Sequence, residues 1–295
     1  MGASMLLFNV LLAGLGIFLV KTLLTPKKTP APLPPGPKPK PVIGNLLDLP
    51  PPNEQEWVHW GKHKALYGPI SYLNVFGQKL VIVSDVRIAV ELLEKRSAIH
   101  SDRPTMPFGG EMCGWENALS SQHYSDRFRV YRKNISQVMG TKAAVSRFYP
   151  HQDVEVRRFI FRILEDPEKL QQHIRTEAGA IILKISHGYT VEPREADPLV
   201  DLADEVLVQF SIAVIPGKWL IDVMPFLRYV PDWLPGTGFK RTAMRWKRSL
   251  TELAEKPHAF VKQQMASGTA IPSYTSSLLE SGNLSAEDEF SVKWS

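Results

Sequence analysis

The first 20 residues carry no charged side chain, and this run constrains the chain more than any other feature. A helix rises about 1.5 Å per residue, so about 20 apolar residues cross the hydrocarbon core of a bilayer. Lys21 is the first charge and Lys27 and Lys28 follow it, whereas no basic residue precedes the run. The positive-inside rule then leaves the rest of the chain in the cytosol. We predict a transmembrane anchor over residues 1–24.

A cleaved signal peptide is the alternative interpretation of this segment. Such peptides begin with basic residues and end in a cleavage site of small residues. The segment lacks the basic start and has no convincing cleavage site. The pattern therefore favours an anchor that stays attached to a cytosolic body.

Prolines dominate the residues that follow the anchor. From Pro26 to Pro41 every second or third residue is proline. Proline fixes φ and has no amide hydrogen, so we predict an extended, stiff hinge of polyproline character over residues 25–52. Composition leaves a second interpretation open, which is a proline-rich ligand for a partner domain.

The overall composition indicates a folded protein and excludes one class of partner. Hydrophobic residues make up 44% of the 295-residue chain and charged residues 22%, which are ordinary values for globular proteins. The net charge of +5 is small, and no basic run interleaved with aromatic residues is present, so we expect no nucleic-acid partner. Cys113 is the single cysteine, which excludes an internal disulfide and favours a reducing compartment.

Residues 53–295 predict a small β region at about 65–100, followed by a helical region at about 101–295. Ile70–Phe76 and Leu80–Val83 are β-type runs, and Gly77-Gln78 between them predicts a hairpin turn. Helical spacing covers six longer stretches, at 125–140, 146–164, 169–188, 198–213, 239–266 and 273–281. The predicted fold class is mostly α (α+β).

One predicted helix concentrates basic residues beside an aromatic side chain. Phe128 and Arg132 are four residues apart and therefore share a helix face. An arginine in this setting can present its guanidinium fork to a carboxylate or a phosphate. The alternative is a basic helix face in solvent. Arg103 lies in a turn between Asp102 and Pro104, which by itself is a weak signal.

Three other residues are candidates for metal ligands or nucleophiles. His59 and His63 have the four-residue spacing of helical metal ligands, but no acidic neighbour or third ligand is evident, so we expect exposed histidines. Cys113 has no activating base nearby in sequence, so we predict that it is a small, buried, apolar residue.

Residues 215–238 combine prolines with many aromatic and apolar residues. The prolines prevent a long helix. Three interpretations fit such a segment: a membrane-interface loop, a lid over an apolar pocket, and a loop packed on the core.

The order of the short motifs resembles that of a known family. Along the chain stand an apolar anchor, Pro-Pro-Gly-Pro, Pro-Val-Ile-Gly-Asn at 41–45, Tyr-Gly-Pro-Ile at 67–70, the hairpin, Ser-Asp-Arg-Pro, and Asp-Arg-Phe-x-x-x-Arg. This series is similar to the amino-terminal half of microsomal cytochromes P-450. The stretch Ile-Leu-Lys-Ile-Ser-His-Gly-Tyr at 182–189 resembles fungal members used in secondary metabolism and xenobiotic oxidation.

The resemblance implies heme as the cofactor and assigns residues to it. Arg103, Arg132 and Phe128 match positions on the side of the heme propionates. Phe128 stands where the family has tryptophan, and a phenyl ring cannot donate the indole hydrogen bond. The same helix would lie near the docking face of an acidic, NADPH-dependent reductase, to which Arg127, Arg129 and Lys133 would contribute.

The resemblance also implies a reaction, a substrate site and a location. The family inserts one atom of O₂ into a small apolar substrate. Residues 105–124 match its substrate-lining loop, where we expect Phe108, Met112 and Trp115, and 215–238 match its membrane-facing access loop. The expected location is the endoplasmic reticulum membrane, with a single pass through the bilayer and a cytosolic catalytic domain.

The family pattern stops near residue 295. Ser285 to Asp288 form a capping box that opens a new helix, which matches the start of the family's central helix. The loop that carries the iron-ligating cysteine is not in the sequence, and Cys113 has the wrong context for that ligand. We therefore expect a fragment that is inactive alone, with no catalytic residue of its own. The alternative is a membrane-tethered helical binding protein without enzymatic activity.

Overall fold

The computed structural model describes residues 31–51, 54–193, 195–280, 282 and 284–295. The predicted anchor at 1–24 lies outside the described residues. Among the residues that are described, no helix is both long enough and apolar enough to cross a bilayer. The chain forms two units, of which the first ends at Ser101 and the second starts at Asp102. The boundaries predicted for anchor, hinge and family domain stay a prediction.

The first unit contains the predicted hairpin. Its helices and strands are α1 (Glu56–Tyr67), β1 (Ile70–Val75), β2 (Gln78–Val83), α2 (Val86–Val90) and α3 (Ser97–His100). β1 and β2 are antiparallel, and Val75 pairs with Gln78. The two-residue turn is therefore Phe76-Gly77, with φ of 49° and 86°, as type I′ turns require. The turn predicted at Gly77-Gln78 was wrong by one residue.

The described part of the proline-rich hinge runs along β1. The Tyr72 N–H donates to Pro35 O at 3.0 Å. A Cβ atom on Gly36 would lie 1.9 Å from Tyr72 O, and one on Gly44 would lie 1.9 Å from Asn74 O. Only glycine permits such close backbone approach, which explains both glycines of the hinge motifs. Asn45 completes the contact, because its Oδ1 accepts from the Asn74 N–H at 2.9 Å.

The second unit is helical. Its helices are α4 (Asp126–Met139), α5 (Lys142–Ser146), α6 (Tyr149–Glu165), α7 (Leu170–His187), α8 (Pro198–Ala213), α9 (Leu220–Val223), α10 (Gly238–Ala266), α11 (Tyr274–Leu279) and α12 (Ala286–Trp294). The mostly helical class with one small antiparallel sheet is confirmed. The capping box is confirmed too, since Ser285 Oγ accepts from the Asp288 N–H at 3.1 Å.

The main core of the second unit is built on aromatic contacts. Phe108 lies in a π-helical turn, Pro107–Met112, and is fully buried. Its ring stacks on Trp219, with centroids 3.7 Å apart, and meets Trp246 of α10 edge-on at 5.8 Å. Val206 of α8 closes the same cluster. The core therefore joins the 107–115 segment, the 215–238 loop and two long helices.

The burial of Phe108 predicts a large effect on stability. Phe108→Ala should lower the free energy of unfolding by about 3–5 kcal/mol, because it removes the ring and leaves a cavity. Phe161→Ala is the matched control, since Phe161 is 66% exposed; it should change stability by less than about 0.5 kcal/mol. Denaturant unfolding followed by circular dichroism measures both. Equal effects of the two substitutions would contradict the packing described here.

Candidate functional site

Three side chains form a ridge along the first turns of α4. Ser125 caps the helix, and its hydroxyl accepts from the Phe128 N–H at 3.3 Å. The rings of Tyr124 and Phe128 have centroids 5.5 Å apart. The guanidinium of Arg132 lies 5.7 Å from the centroid of Phe128. Phe128 and Arg132 share a face of α4 because they are four residues apart, as the sequence predicted, and Tyr124, which precedes the cap, joins them through its ring contact with Phe128.

A hydrogen-bonded group, which we call the Asp102 clasp, ties residue 102 to the start of α4. Asp102 Oδ1 accepts from the Tyr124 N–H at 2.9 Å and from its neighbour's amide, Arg103 N–H, at 3.0 Å. The same oxygen lies 3.0 Å from His123 Nδ1. These hydrogen bonds, led by that from Tyr124, hold the pKa of Asp102 below its usual value.

The Asp102 clasp holds the turn that carries Arg103 against the residues before α4. Arg103 Nε donates to Ser120 O at 3.3 Å, one further link between the two segments. Tyr124 belongs to both the clasp and the ridge. The structure thus joins Arg103, through Asp102 and Tyr124, to the ridge that ends in Arg132.

The chemistry of this donor set fits the two propionate groups of heme. Arg132 is exposed and makes no hydrogen bond or ion pair within the part of the chain that is described. Its guanidinium, stacked on Phe128, keeps its N–H fork available for a carboxylate. Arg103 is also exposed, and its Nε donates to Ser120 O. Two guanidiniums suit a ligand with two carboxylates.

The other basic residues of α4 are already engaged in part. Arg129 Nη1 lies 3.2 Å from Asp126 Oδ1, and its guanidinium lies 5.3 Å from the Tyr124 centroid. Arg127 lies over the ring of Phe290, 5.6 Å from its centroid. Lys133 is exposed. A partner that docks here would compete with intramolecular contacts for Arg127 and Arg129.

The residues predicted to line a substrate site belong to the packed core. Phe108 is fully buried, Trp115 packs on Phe210 with centroids 4.2 Å apart, and Met112 is half-buried against the same cluster. An open cleft of about 450 Å³ lies in the same segment, but it is lined by their neighbours, including Met106 and Gly110. The substrate role of the three residues stays a prediction.

Two polar contacts fasten this segment to the 215–238 loop. Asp222 Oδ1 accepts from the Phe108 N–H at 2.9 Å. Burial raises the pKa of Asp222, although the hydrogen bond from Phe108 opposes that shift. Arg228 forms an ion pair with Glu111. Sequence reasoning missed both links, because 114 and 117 residues separate the partners.

The structure corrects one expectation and confirms another among the remaining candidates. His63 is buried, and its Nδ1 lies 2.9 Å from Ser71 Oγ. His59 Nδ1 lies 3.1 Å from Glu54 Oε2. The prediction of two exposed histidines without an acidic neighbour was therefore wrong. Across the described ranges, no group of three or more potential ligands could hold a metal ion. Cys113 is fully buried as predicted, and burial raises the pKa of its thiol to about 12.

Comparisons with known proteins show which family the chain belongs to. The family model described as cytochrome P450 matches residues 34–285. The chain is 45% identical over 293 residues to cytochrome P450 monooxygenase ppsD of Aspergillus oryzae, covering 99% of the chain and 55% of that protein.

Two further relatives show the same partial coverage. Cytochrome P450 monooxygenase claR of Ampulloclitocybe clavipes is 47% identical, over 89% of the chain and 48% of the relative. O-methylsterigmatocystin oxidoreductase of Aspergillus flavus is 39% identical, over 91% of the chain and 51% of the relative. The chain spans about half the length of the curated relatives it matches.

The Asp102 clasp predicts a local change in backbone protection. Asp102→Ala should speed amide exchange at Tyr124 and Arg103, because both N–H groups lose their acceptor. Asp153→Ala on α6 is the control, since its carboxylate is exposed to a similar extent. The pKa of Asp102 is lowered, so protection should persist at neutral pH and disappear as pH falls through that pKa. Unchanged exchange in Asp102→Ala would contradict the clasp.

The burial of Cys113 predicts an unreactive thiol. In the folded chain an aromatic disulfide reagent at about pH 8 should not modify Cys113, because the thiol is protonated and inaccessible. In denaturant the same reagent should titrate one thiol per chain. Rapid reaction of the native protein would show that Cys113 is accessible.

Proposed function

Because the chain belongs to the cytochrome P450 family, whose cofactor is heme, we propose that it supplies one half of the site of a heme monooxygenase. The observation that carries this proposal is the link from Arg103 to Arg132. The Asp102 clasp and the α4 ridge hold these two exposed guanidiniums on connected surface segments, as a dicarboxylate ligand requires.

In this proposal the two arginines bind the heme propionates. Charge-assisted hydrogen bonds to carboxylates contribute about 1.5–3 kcal/mol each where the partner is ionised. Phe128 contributes packing under the guanidinium of Arg132 and no hydrogen bond of its own. Asp102 has an indirect role, since it positions the turn that carries Arg103 and does not contact the ligand.

Heme with a thiolate ligand would activate O₂. One of its oxygen atoms would then be inserted into an apolar molecule. In this proposal the chain does not provide that thiolate. Cys113 is its single cysteine, and the side chain is buried in the core with a pKa of about 12. An iron-ligating sulfur would therefore come from outside these 295 residues. We accordingly propose that the chain alone does not catalyse oxygenation.

We assign the substrate side to the segment 105–124 and its partner loop. The proposed substrate is a small apolar organic molecule, as in the family to which the chain belongs; Phe108, Met112 and Trp115 make the packed interior of this segment apolar. The Asp222 and Arg228 links would then decide how far the 215–238 loop can move away from that segment.

The proposed partners are a bilayer and a reductase. Four large apolar or aromatic side chains of the 215–238 loop are exposed: Leu220 by 61%, Phe226 by 63%, Tyr229 by 81% and Trp233 by 79%. Aromatic side chains of this kind suit a membrane interface, so we assign the loop to the bilayer of the endoplasmic reticulum. The exposed Lys133, with Arg127 and Arg129, would meet an acidic reductase.

Hemin titration of the chain tests the assignment of the arginines. Arg103→Gln and Arg132→Gln should each weaken hemin binding by about tenfold, because each removes a charge-assisted contact. Arg147→Gln is the matched control, since Arg147 also stacks on a phenylalanine, at 4.7 Å from Phe148, but lies beyond α4. It should leave hemin affinity unchanged. The absorbance of bound hemin reports all three affinities.

Hemin dimethyl ester separates the carboxylate contacts from general affinity for porphyrin. It lacks the ionised propionates, so wild type, Arg103→Gln and Arg132→Gln should bind it equally. If both variants bind hemin as tightly as wild type, or if the chain binds no hemin, the proposed role of the arginines is wrong.

A carbon monoxide difference spectrum tests the thiolate assignment. The hemin-loaded chain, once reduced, should show no thiolate-type band, because Cys113 is fully buried in the core and out of reach of bound iron. A thiolate-type band that Cys113→Ser abolishes would overturn the assignment.

A further inference from the structure

A row of arginines follows the 215–238 loop on the first turns of α10. Arg241, Arg245 and Arg248 are exposed and are spaced four and three residues apart, which places them on one helix face. The opposite face is buried, because Trp246 and Leu250 on it belong to the core. We call these three residues the α10 arginine row.

The loop and the helix are fastened together at this point. Lys240 Nζ lies 2.9 Å from Asp232 Oδ1 and also donates to Val230 O. The exposed rings of Tyr229 and Trp233 flank these two acceptor residues. Lys240 therefore links the part of the loop that carries these rings to the first turn of α10.

The α10 arginine row keeps its positive charge. Within the described ranges, none of its three arginines takes part in an ion pair. Of the acidic residues near it in sequence, Asp232 pairs with Lys240 and Glu252 pairs with Lys256, although the charge of Arg248 also helps to lower the pKa of Glu252. The row begins at Arg241, next to Lys240, which binds the loop that carries the exposed rings. Its positive charge makes the exposed face of α10 complementary to an anionic surface.

We propose that this surface selects bilayers with anionic headgroups, through contacts of the α10 arginine row with lipid phosphates and carboxylates. The inference rests on the proposed membrane contact of the 215–238 loop and goes beyond it by naming the lipid class. The rings alone would enter a neutral interface equally well. The arginines add binding free energy only where negative charge is dense, at about 1 kcal/mol for each arginine near an anionic leaflet.

The test places the full 295-residue chain in nanodiscs with a fluorophore on the loop. Met224→Cys provides the attachment point, and it labels selectively because Cys113 is fully buried with a thiol pKa of about 12. The discs contain either phosphatidylcholine alone or phosphatidylcholine with phosphatidylserine. The blue shift of an environment-sensitive fluorophore reports the fraction of loops inserted in the bilayer.

Wild type should insert more completely in the anionic discs, and high salt should remove the difference. The triple variant R241Q/R245Q/R248Q should show the same insertion in both kinds of disc. About 1 kcal/mol per arginine corresponds to a fall of about fivefold for each residue in the ratio of inserted to free loops.

The triple variant K142Q/R157Q/K169Q is the matched control. It removes the same charge from exposed positions outside α10 and should retain the preference of wild type. Circular dichroism checks that both triple variants fold. If the label inserts equally in the two kinds of disc for wild type, the lipid selection is wrong while the membrane contact stands. If the label stays in water in both, the proposed membrane contact fails as well.

Discussion

The stack of Phe108 on Trp219, with Trp246 edge-on to both rings, is the contact around which the main core of the second unit is built. It joins three stretches that lie far apart in sequence and buries large apolar area at their meeting point. The polar links of Asp222 and of the Glu111–Arg228 pair lie at the edge of this stack. They fix the orientation of segments that the aromatic core already holds together.

The candidate heme contacts rely on a different kind of interaction. Asp102, His123 and Tyr124 are exposed, so their hydrogen bonds compete with water and contribute modestly to stability. Their effect is local, because they determine where the Arg103 turn lies relative to α4. The core supplies the stability of the second unit, and the Asp102 clasp supplies the geometry of one small surface. This division makes the surface a place where function can change without loss of the fold.

Much of the secondary structure followed from local sequence signals. The long helices agree with their predicted spans to within a few residues, because amphipathic spacing and caps such as that of Ser285 are encoded locally. The turn at Phe76-Gly77 was misplaced because a phenylalanine with φ of 49° is uncommon. The burial of His63 was missed because it depends on Ser71, a neighbour that only the folded chain supplies.

The site was predictable only in part. Spacing alone placed Phe128 beside Arg132 but left a solvated basic face as an open interpretation, and the resemblance to a family supplied the ligand. The Asp102 clasp joins residues 21 and 22 positions apart across an irregular segment, where no periodic pattern exists to reveal it. The core positions of Phe108 and Trp115 likewise depend on aromatic partners about a hundred residues further along the chain.

The close contact of the proline-rich hinge with β1 has a consequence for aggregation. A two-stranded sheet has two open edges, and an unpaired edge can pair with the strands of another molecule. Here the chain's own backbone at Pro35 and Asn45 occupies the side of β1 that faces away from β2. Proline has no N–H to donate, so the outer side of this proline-rich segment is a poor template for pairing with a further strand. The stretch that the sequence predicts to be a spacer thus also blocks intermolecular strand pairing at the β1 edge of the sheet.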